Sequence, residues 1–250
     1  MTFADAAAGP FAWRPGRVRV KVCGLTRPED AVAVEAAGAD AVGVILAPGS
    51  RRRVDVAQAA EVLAPLGPFV ARVGVFVAPE PDALFAAVEA LRLHAVQLHG
   101  DLPVVDGAAW RALRDRVAVI RAVAWSPDLD LAALARAPVD AVLVDGPRAG
   151  SGEPFDWEGA GSLRRLPRWV LAGGLAPDNV ARAIERLRPP AVDVASGVEA
   201  APGVKDPRRL AAFMTAVRGA EARFGDGAYG GPSPAPTGGS SADPAGGEAV

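Results

Sequence analysis

Residues 17–26, RVRVKVCGLT, form a short valine-rich run that ends on Cys23 and a glycine turn. A helical pattern follows directly, with Pro28 in its first turn and the acidic residues Glu29 and Asp30 beside it, as helix N-termini favour. A strand followed at once by a helix is the building unit of α/β folds. The fold therefore depends on how often this unit recurs.

The unit recurs along residues 17–222. The strand runs are short, rich in Val, Ile and Leu, and continuous rather than alternating, which is typical of strands buried on both faces. We place the strands near 18–22, 40–46, 70–77, 94–98, 117–123, 140–144, 168–172 and 191–194, and the helices near 28–37, 55–65, 79–91, 104–114, 128–136, 156–165, 177–187 and 206–218. Eight such units predict an α/β fold of the (β/α)8 TIM barrel type. An open doubly wound sheet is the alternative, because local pattern does not show closure.

The two ends of the chain differ in composition from this repeat. Residues 1–16 are rich in Ala, Gly and Pro, and we predict a flexible N-terminal extension. Residues 17–222 are predicted to be a single catalytic barrel domain. Residues 223–250 are a Gly/Pro/Ser-rich tail with almost nothing large to bury, so we predict that this tail is disordered.

Composition excludes several classes of function. Net charge is −2 and the basic residues are scattered, so no nucleic-acid footprint is present. The longest apolar run, 39–48, is interrupted by Asp40 and is too short to span a bilayer. A single cysteine excludes an internal disulfide and fits a reducing compartment. Together with the lack of a secretory signal pattern, this predicts a cytoplasmic protein with no nucleic-acid or membrane partner.

A thiol and a carboxylate end two of the predicted strands. The active site of such a barrel lies at the C-terminal ends of its strands. Cys23 ends the first strand and Asp145 ends the sixth, so the two are a candidate acid–base pair. We expect Cys23 to be accessible, with Lys21 close enough to favour its thiolate.

Glycines after the last two strands indicate an anion site. Gly173-Gly174 and Ser196-Gly197 let backbone N–H groups approach and point at a ligand. Phosphate sites at these two loops are common in this fold, and a plain turn is the alternative. The sequence favours a small phosphorylated substrate.

Other polar residues supplement the site. Among the three arginines at 51–53, one is expected to clamp a carboxylate while the others are solvated. Lys21, Gln97 and His99 are possible supporting residues next to the reacting groups. The two histidines lie too far apart for a metal constellation, so we expect no metal site.

Seven segments, in order over about residues 17–218, resemble one family. They are KVCGLT at 21–26, Ser50-Arg51-Arg52, RVGVFV at 72–77, VQLHGD at 96–101, the stretch from Leu143 to Trp157, LAGGLAPDNV at 171–180 and VDVASGVEAAPGVKD at 192–206. In this register they resemble the phosphoribosylanthranilate isomerase family of tryptophan biosynthesis.

The resemblance implies an intramolecular aldose–ketose isomerase. Its substrate would be the phosphosugar N-(5′-phosphoribosyl)anthranilate, its cofactor none, and its state a monomer or homodimer. Asp145 would be the general acid, Cys23 the general base, and Arg52 the partner of the anthranilate carboxylate. The phosphate would lie on Gly173, Gly174, Ser196 and Gly197.

Other functions explain fewer of these residues. The isomerase of the histidine pathway resembles a duplicated half-barrel with an acid at the end of strand one, where this chain has Cys23. Indole-glycerol-phosphate synthase would need a lysine acid at a strand end. A non-catalytic barrel would be expected to have lost Cys23 or Asp145, and a redox-sensing thiol protein leaves Asp145 unexplained.

Overall fold

A computed structural model describes residues 17–100, 107–146, 157 and 159–223, and it shows a closed barrel of eight parallel strands. The strands are β1 (Arg19–Cys23), β2 (Ala41–Ile45), β3 (Ala71–Val77), β4 (Ala95–His99), β5 (Ala118–Ala124), β6 (Ala141–Asp145), β7 (Trp169–Leu171) and β8 (Ala191–Val194). Each pairs in parallel with the next, and β8 closes on β1 with Lys21 opposite Asp193. The TIM barrel is therefore confirmed and the open sheet is excluded.

Helices cover the outside of the barrel. They are α1 (Pro28–Ala36), α2 (Val56–Leu63), α3 (Pro81–Leu91), α4 (Gly107–Arg116), α5 (Leu131–Arg136), α6 (Val180–Leu187) and α7 (Pro207–Ala222). Proline begins α1, α3 and α7 because its missing N–H is not needed in the first turn. At the start of α7, the Asp206 side chain also accepts the N–H groups of Arg208 and Arg209.

One predicted helix is wrong. Of the segment 156–165, the described part contains only a 3-10 helix, Gly161–Arg165. Gly161 at its start lowers helix propensity, and Pro167 directly beyond it does not support a longer helix. The sequence analysis also omitted a short antiparallel hairpin after β8, made of β9 (Glu199–Ala201) and β10 (Val204–Lys205).

Alternation along the strands divides the core in two. One set of side chains packs between the strands and the helices, including Leu25, Leu98 and Phe213. The opposite set points into the barrel and forms a small cluster of Ala122, Leu143, Val170, Ala172 and Ala191, with Ile120 packed against it. Side chains two residues apart on a strand point to the same face. Asp145 and Asp193 therefore point into the barrel like Leu143 and Ala191, two residues before them.

The predicted extensions at 1–16 and 223–250 lie outside the described residues, except for Arg223. Within the described residues, no helix combines the length and the apolar character needed to cross a membrane.

Candidate active site

A solvent-open cleft of about 430 Å³ lies at the C-terminal mouth of the barrel. Its walls come from the loop after β2 and from the ends of β6, β7 and β8: Arg52, Asp145, Ala172, Gly173, Gly174, Leu175, Asp193, Val194, Ala195 and Ser196. The structure therefore brings together predicted residues from four separate segments of the chain. Cys23 is not part of these walls and lies beside them.

Cys23 is held against a buried ion pair. The Lys21 ammonium lies 2.9 Å from the Asp193 carboxylate, and both side chains are almost fully buried. The Lys21 charge is also close enough to the thiol to oppose a rise in its pKa. Gly43 on β2 leaves the room for this group, because a Cβ there would lie 2.8 Å from Cys23 Sγ and 3.2 Å from Lys21 Nζ.

The expectation of an accessible thiolate is wrong for this structure. Cys23 is only 5% exposed, and burial raises the pKa of its thiol above the ordinary value although Lys21 opposes this shift. The cation has limited effect because it is already paired with Asp193, whose charge raises the thiol pKa. Burial opposes the charged form of Lys21, but Asp193 and Cys23 outweigh it and raise the pKa of Lys21 to about 12.

Asp145 is the last residue of β6, and backbone groups surround its side chain. One of its carboxylate oxygens accepts the Gly146 N–H at 2.8 Å, and its carbonyl accepts the Trp125 N–H at 2.8 Å. Gly173 packs directly on this group with φ +86°, and a Cβ there would lie 2.9 Å from the carboxylate and 2.4 Å from Gly146 N. Glycine at 173 therefore lets the loop after β7 close on the carboxylate.

The loops after β7 and β8 form one surface. Gly173 and Gly174 are both left-handed, a backbone form whose N–H groups can line an anion-binding concavity. A Cβ at Gly197 would lie 2.0 Å from the Leu175 carbonyl oxygen, so glycine is needed for the two loops to touch. Asn179 braces the first loop, since its amide donates to the Gly174 carbonyl at 2.9 Å.

Arg52 is the buried member of the arginine run, and Arg51 and Arg53 are exposed, as the sequence analysis expected. Its Nε and Nη2 donate to the two carboxylate oxygens of Glu199, each at 2.8 Å. The side chain crosses Gly24, where a Cβ would lie 2.5 Å from Arg52 Cδ. One edge of the guanidinium is thus taken by Glu199, and the Arg52 side chain also lines the cleft.

Gln97 and His99 form a pair on β4. Gln97 Nε2 lies 2.8 Å from His99 Nε2, and Gln97 is buried. Burial and the nearby Lys21 charge both lower the pKa of His99, so its neutral form is favoured. Neither residue contributes to the cleft walls. No group of three or more His, Cys, Asp or Glu side chains suited to a metal ion occurs in the described ranges.

Three buried charged residues were missed as site residues from sequence: Asp193, Glu199 and Lys205. All three lie within the segment 192–206 that carried part of the resemblance. An acidic residue inside an apolar strand was the available signal for Asp193. Glu199 and Lys205 gave no such signal, because they follow the last strand in a loop-like stretch.

Fold and site together define a class of protein: a (β/α)8 barrel with a glycine-lined cleft at its mouth and a thiol and a carboxylate on different strands beside it. Residues 20–216 match the family model described as N-(5′phosphoribosyl)anthranilate (PRA) isomerase. An N-(5′-phosphoribosyl)anthranilate isomerase of Deinococcus radiodurans is 45% identical over 209 residues, covering 81% of this chain and 98% of that relative.

Solved structures agree with this match. Phosphoribosyl anthranilate isomerase from Thermus thermophilus is 42% identical, covers 81% of this chain and 99% of its own, and has a TM-score of 0.74. An isomerase solved in complex with reduced 1-(o-carboxyphenylamino)-1-deoxyribulose 5-phosphate is 40% identical, with the same coverage and a TM-score of 0.71. The chain belongs to the phosphoribosylanthranilate isomerase family, and the expected isomerase of tryptophan biosynthesis is confirmed at that level.

Proposed function

We propose that this chain rearranges N-(5′-phosphoribosyl)anthranilate to 1-(2-carboxyphenylamino)-1-deoxyribulose 5-phosphate, with Asp145 as general acid and Cys23 as general base. The observation that carries the proposal is the arrangement of the barrel mouth. Around the barrel, β7 and β8 separate β6, which ends in Asp145, from β1, which ends in Cys23. The glycine loops of β7 and β8 therefore lie between the acid and the base.

This arrangement suits the two charged ends of the substrate. The phosphate would lie on the surface formed by Gly173, Gly174, Ser196 and Gly197, where left-handed glycines expose backbone N–H groups. The anthranilate carboxylate would accept hydrogen bonds from the edge of the Arg52 guanidinium that faces away from Glu199, since Arg52 lines the same cleft. With both ends fixed, the ribose ring is held between Asp145 and Cys23.

The chemistry needs one proton given and one proton taken. Asp145 gives its proton to the ribose ring oxygen as the C1′–O bond breaks, and the anthranilate nitrogen lone pair forms the C1′=N bond of a Schiff base. The Cys23 thiolate then removes the proton from C2′, and the C–H electrons form a C1′=C2′ bond while the nitrogen recovers its lone pair. Protonation of the resulting enolamine at C1′ and loss of the hydroxyl proton give the ketose. No electron acceptor is required.

The raised pKa of Cys23 has two consequences for this step. Fewer molecules carry the thiolate at neutral pH, but each thiolate is a stronger base, which suits removal of a proton from carbon. Lys21 stabilises the thiolate when it forms. Because the active form is deprotonated, turnover is expected to rise from neutral to alkaline pH.

The test follows the fluorescence of phosphoribosylanthranilate generated in the cuvette as purified protein is added. Wild-type protein should remove the fluorescence and give a ketose that borohydride reduces. Asp145→Asn, measured in parallel, should leave the signal nearly unchanged. A correctly folded wild-type protein that leaves the fluorescence unchanged would overturn the proposed function. Cytoplasmic location and a monomeric or homodimeric state stay predictions.

A further inference from the structure

The β9–β10 hairpin, Glu199–Lys205, carries two buried opposite charges at its ends. The Glu199 and Lys205 side chains are 4% and 1% exposed, and Lys205 Nζ lies 2.9 Å from the Glu199 carboxylate. Removing charges from water is costly, and an ion pair of this kind seldom adds net stability over apolar packing. A contribution to stability therefore does not explain why this pair is buried next to the cleft.

Glu199 fixes the direction of Arg52. Its two carboxylate oxygens take the Nε and Nη2 of the arginine in a bidentate pair, and one of them also accepts the Gly203 N–H at 3.2 Å. Burial opposes the charged carboxylate, but Arg52 and Lys205 outweigh it and lower the pKa of Glu199. Since a guanidinium is planar, fixing one edge also fixes where the other edge points.

Lys205 ties the end of β1 to the end of β8. Its ammonium donates to the carbonyl of Cys23 at 2.7 Å and to that of Ala195 at 3.3 Å. Cys23 carries the thiol, and Ala195 directly precedes Ser196 of the anion-binding surface. One side chain therefore sets the distance between the backbone of the base and the backbone beside the phosphate position.

The hairpin itself is held in place by separate contacts. Thr26, in the loop after β1, donates to the Gly203 carbonyl at 2.7 Å, and a Cβ on Gly203 would lie 2.9 Å from this threonine. The Lys205 N–H donates to Asp30 of α1 at 3.1 Å. The two charged ends are thus mounted on a braced element rather than on a free loop.

We propose that Glu199 and Lys205 are positioning residues: Glu199 aims Arg52 at the substrate carboxylate, and Lys205 fixes the Cys23 peptide relative to the phosphate position. The inference rests on the proposed function. It predicts that substitution of Glu199 lowers substrate affinity, whereas substitution of Lys205 lowers the rate of the step that the base carries out.

The test compares Glu199→Gln and Lys205→Met with Glu221→Gln. Glu221 is a matched control, because it is a partly buried carboxylate that accepts from Arg218 and the Val18 N–H at the far end of the barrel. Glu199→Gln should raise KM and weaken the reduced product analogue by about tenfold, with the inhibition constant of inorganic phosphate unchanged. Lys205→Met should instead lower kcat by about tenfold with little change in KM.

Two outcomes would overturn the proposal. One is an unchanged KM and analogue affinity in folded Glu199→Gln. The other is an equal loss of affinity for the analogue and for inorganic phosphate in Glu199→Gln, with the same loss in the control Glu221→Gln, which would mean a general structural role. If Glu199→Gln does not fold, Glu199→Asp, which keeps the charge but shortens the side chain, replaces it with the same expected loss of analogue affinity.

A readout without substrate separates this proposal from the proposed function. Cys23 is the only cysteine of the chain, so alkylation by iodoacetamide against pH reports its thiol alone. Lys205→Met should shift the alkylation profile to higher pH, because the Lys205 charge lowers the thiol pKa, and Glu221→Gln should not. If wild type does not turn over the substrate, the proposed function fails, yet this shift still supports a direct effect of the Lys205 charge on Cys23; an unmoved profile contradicts that effect.

Discussion

The barrel interior is built differently on its two sides. On the arc from β8 through β1 to β4 it holds a buried ion pair, Lys21–Asp193, together with the thiol of Cys23 and the amide of Gln97. On the arc from β5 to β7 it holds apolar residues that pack with Ala191 at the start of β8: Ile120, Ala122, Leu143, Val170 and Ala172. Cys23 thus lies next to the polar part of the barrel interior, whereas Asp145 lies next to the apolar part.

This difference gives the proposed base, Cys23, and the proposed acid, Asp145, different surroundings within one fold. On the polar side, burial raises the pKa of the Cys23 thiol, and the charges of Lys21 and Asp193 shift it in opposite directions in a weakly screened environment. On the apolar side, close packing fixes the position of the strand end, and the carboxylate is oriented by backbone groups such as Gly146 N–H.

The largest effect is expected for Cys23→Ala. Removing the base should lower kcat by about 10³- to 10⁴-fold, toward the top of the range for general acid–base groups. Because alanine leaves the ion pair beneath it in place, the affinity for the reduced product analogue should stay within about a factor of two. Stopped-flow turnover and calorimetric binding give both values; equal loss of both would make Cys23 a structural residue.

Asp145→Asn should lower turnover by about 10²- to 10⁴-fold, the usual contribution of a general acid. Asparagine keeps the shape and the acceptor for the Gly146 N–H, so the fold and analogue binding should remain. Steady-state kinetics and circular dichroism check this together. A turnover rate near that of wild type would remove Asp145 from the mechanism.

Gly197→Ala should weaken phosphate binding. A Cβ at this position would lie 2.0 Å from the Leu175 carbonyl oxygen, so the loops after β7 and β8 must separate. Displacement of about 1 Å in a binding site can cost about 10²-fold, and we expect a loss of that order in kcat/KM. Gly219→Ala is the control, because a Cβ there meets nothing within 4 Å and Gly219 lies inside α7. Equal kinetics in the two variants would remove the loop contact from the site.

The smallest effect is expected for deletion of both ends of the chain. A protein of residues 17–223 keeps every described site residue, so its kcat and KM should match those of the full chain. Thermal unfolding should also be unchanged, since residues 224–250 are poor in large apolar residues and residues 1–16 are rich in Ala, Gly and Pro. A clear loss of activity would show that one of the ends takes part in the site.

Much of the fold could be predicted from the sequence, because each strand and its helix are adjacent in the chain. Every predicted strand lies within one or two residues of an observed one, and Cys23 and Asp145 were placed at strand ends correctly. The helix at 156–165 was wrong: its described part forms only the 3-10 helix Gly161–Arg165, and Gly161 was the local signal against a longer helix.

The site was predictable only where a strand end or a glycine turn marks it. The pairing of Arg52 with Glu199 joins residues 147 positions apart, and that of Lys205 with Cys23 joins residues 182 apart. The burial of Cys23 depends on Gly43 and Asp193 from neighbouring strands, so the raised thiol pKa was not visible from residues 21–26. Contacts between distant segments decide these properties.

The most direct measurement of the contrast between the two sides is the pH dependence of Cys23 alkylation in wild type, Lys21→Met and Asp193→Asn. The wild-type thiol should titrate above the ordinary range of about 8.5. Lys21→Met should move the profile to higher pH, because the cation lowers the thiol pKa, and Asp193→Asn should move it to lower pH, because the carboxylate raises it. Opposite shifts would support control of the base by the charged side of the barrel. A wild-type thiol that titrates below the ordinary range, or identical profiles in all three proteins, would contradict it.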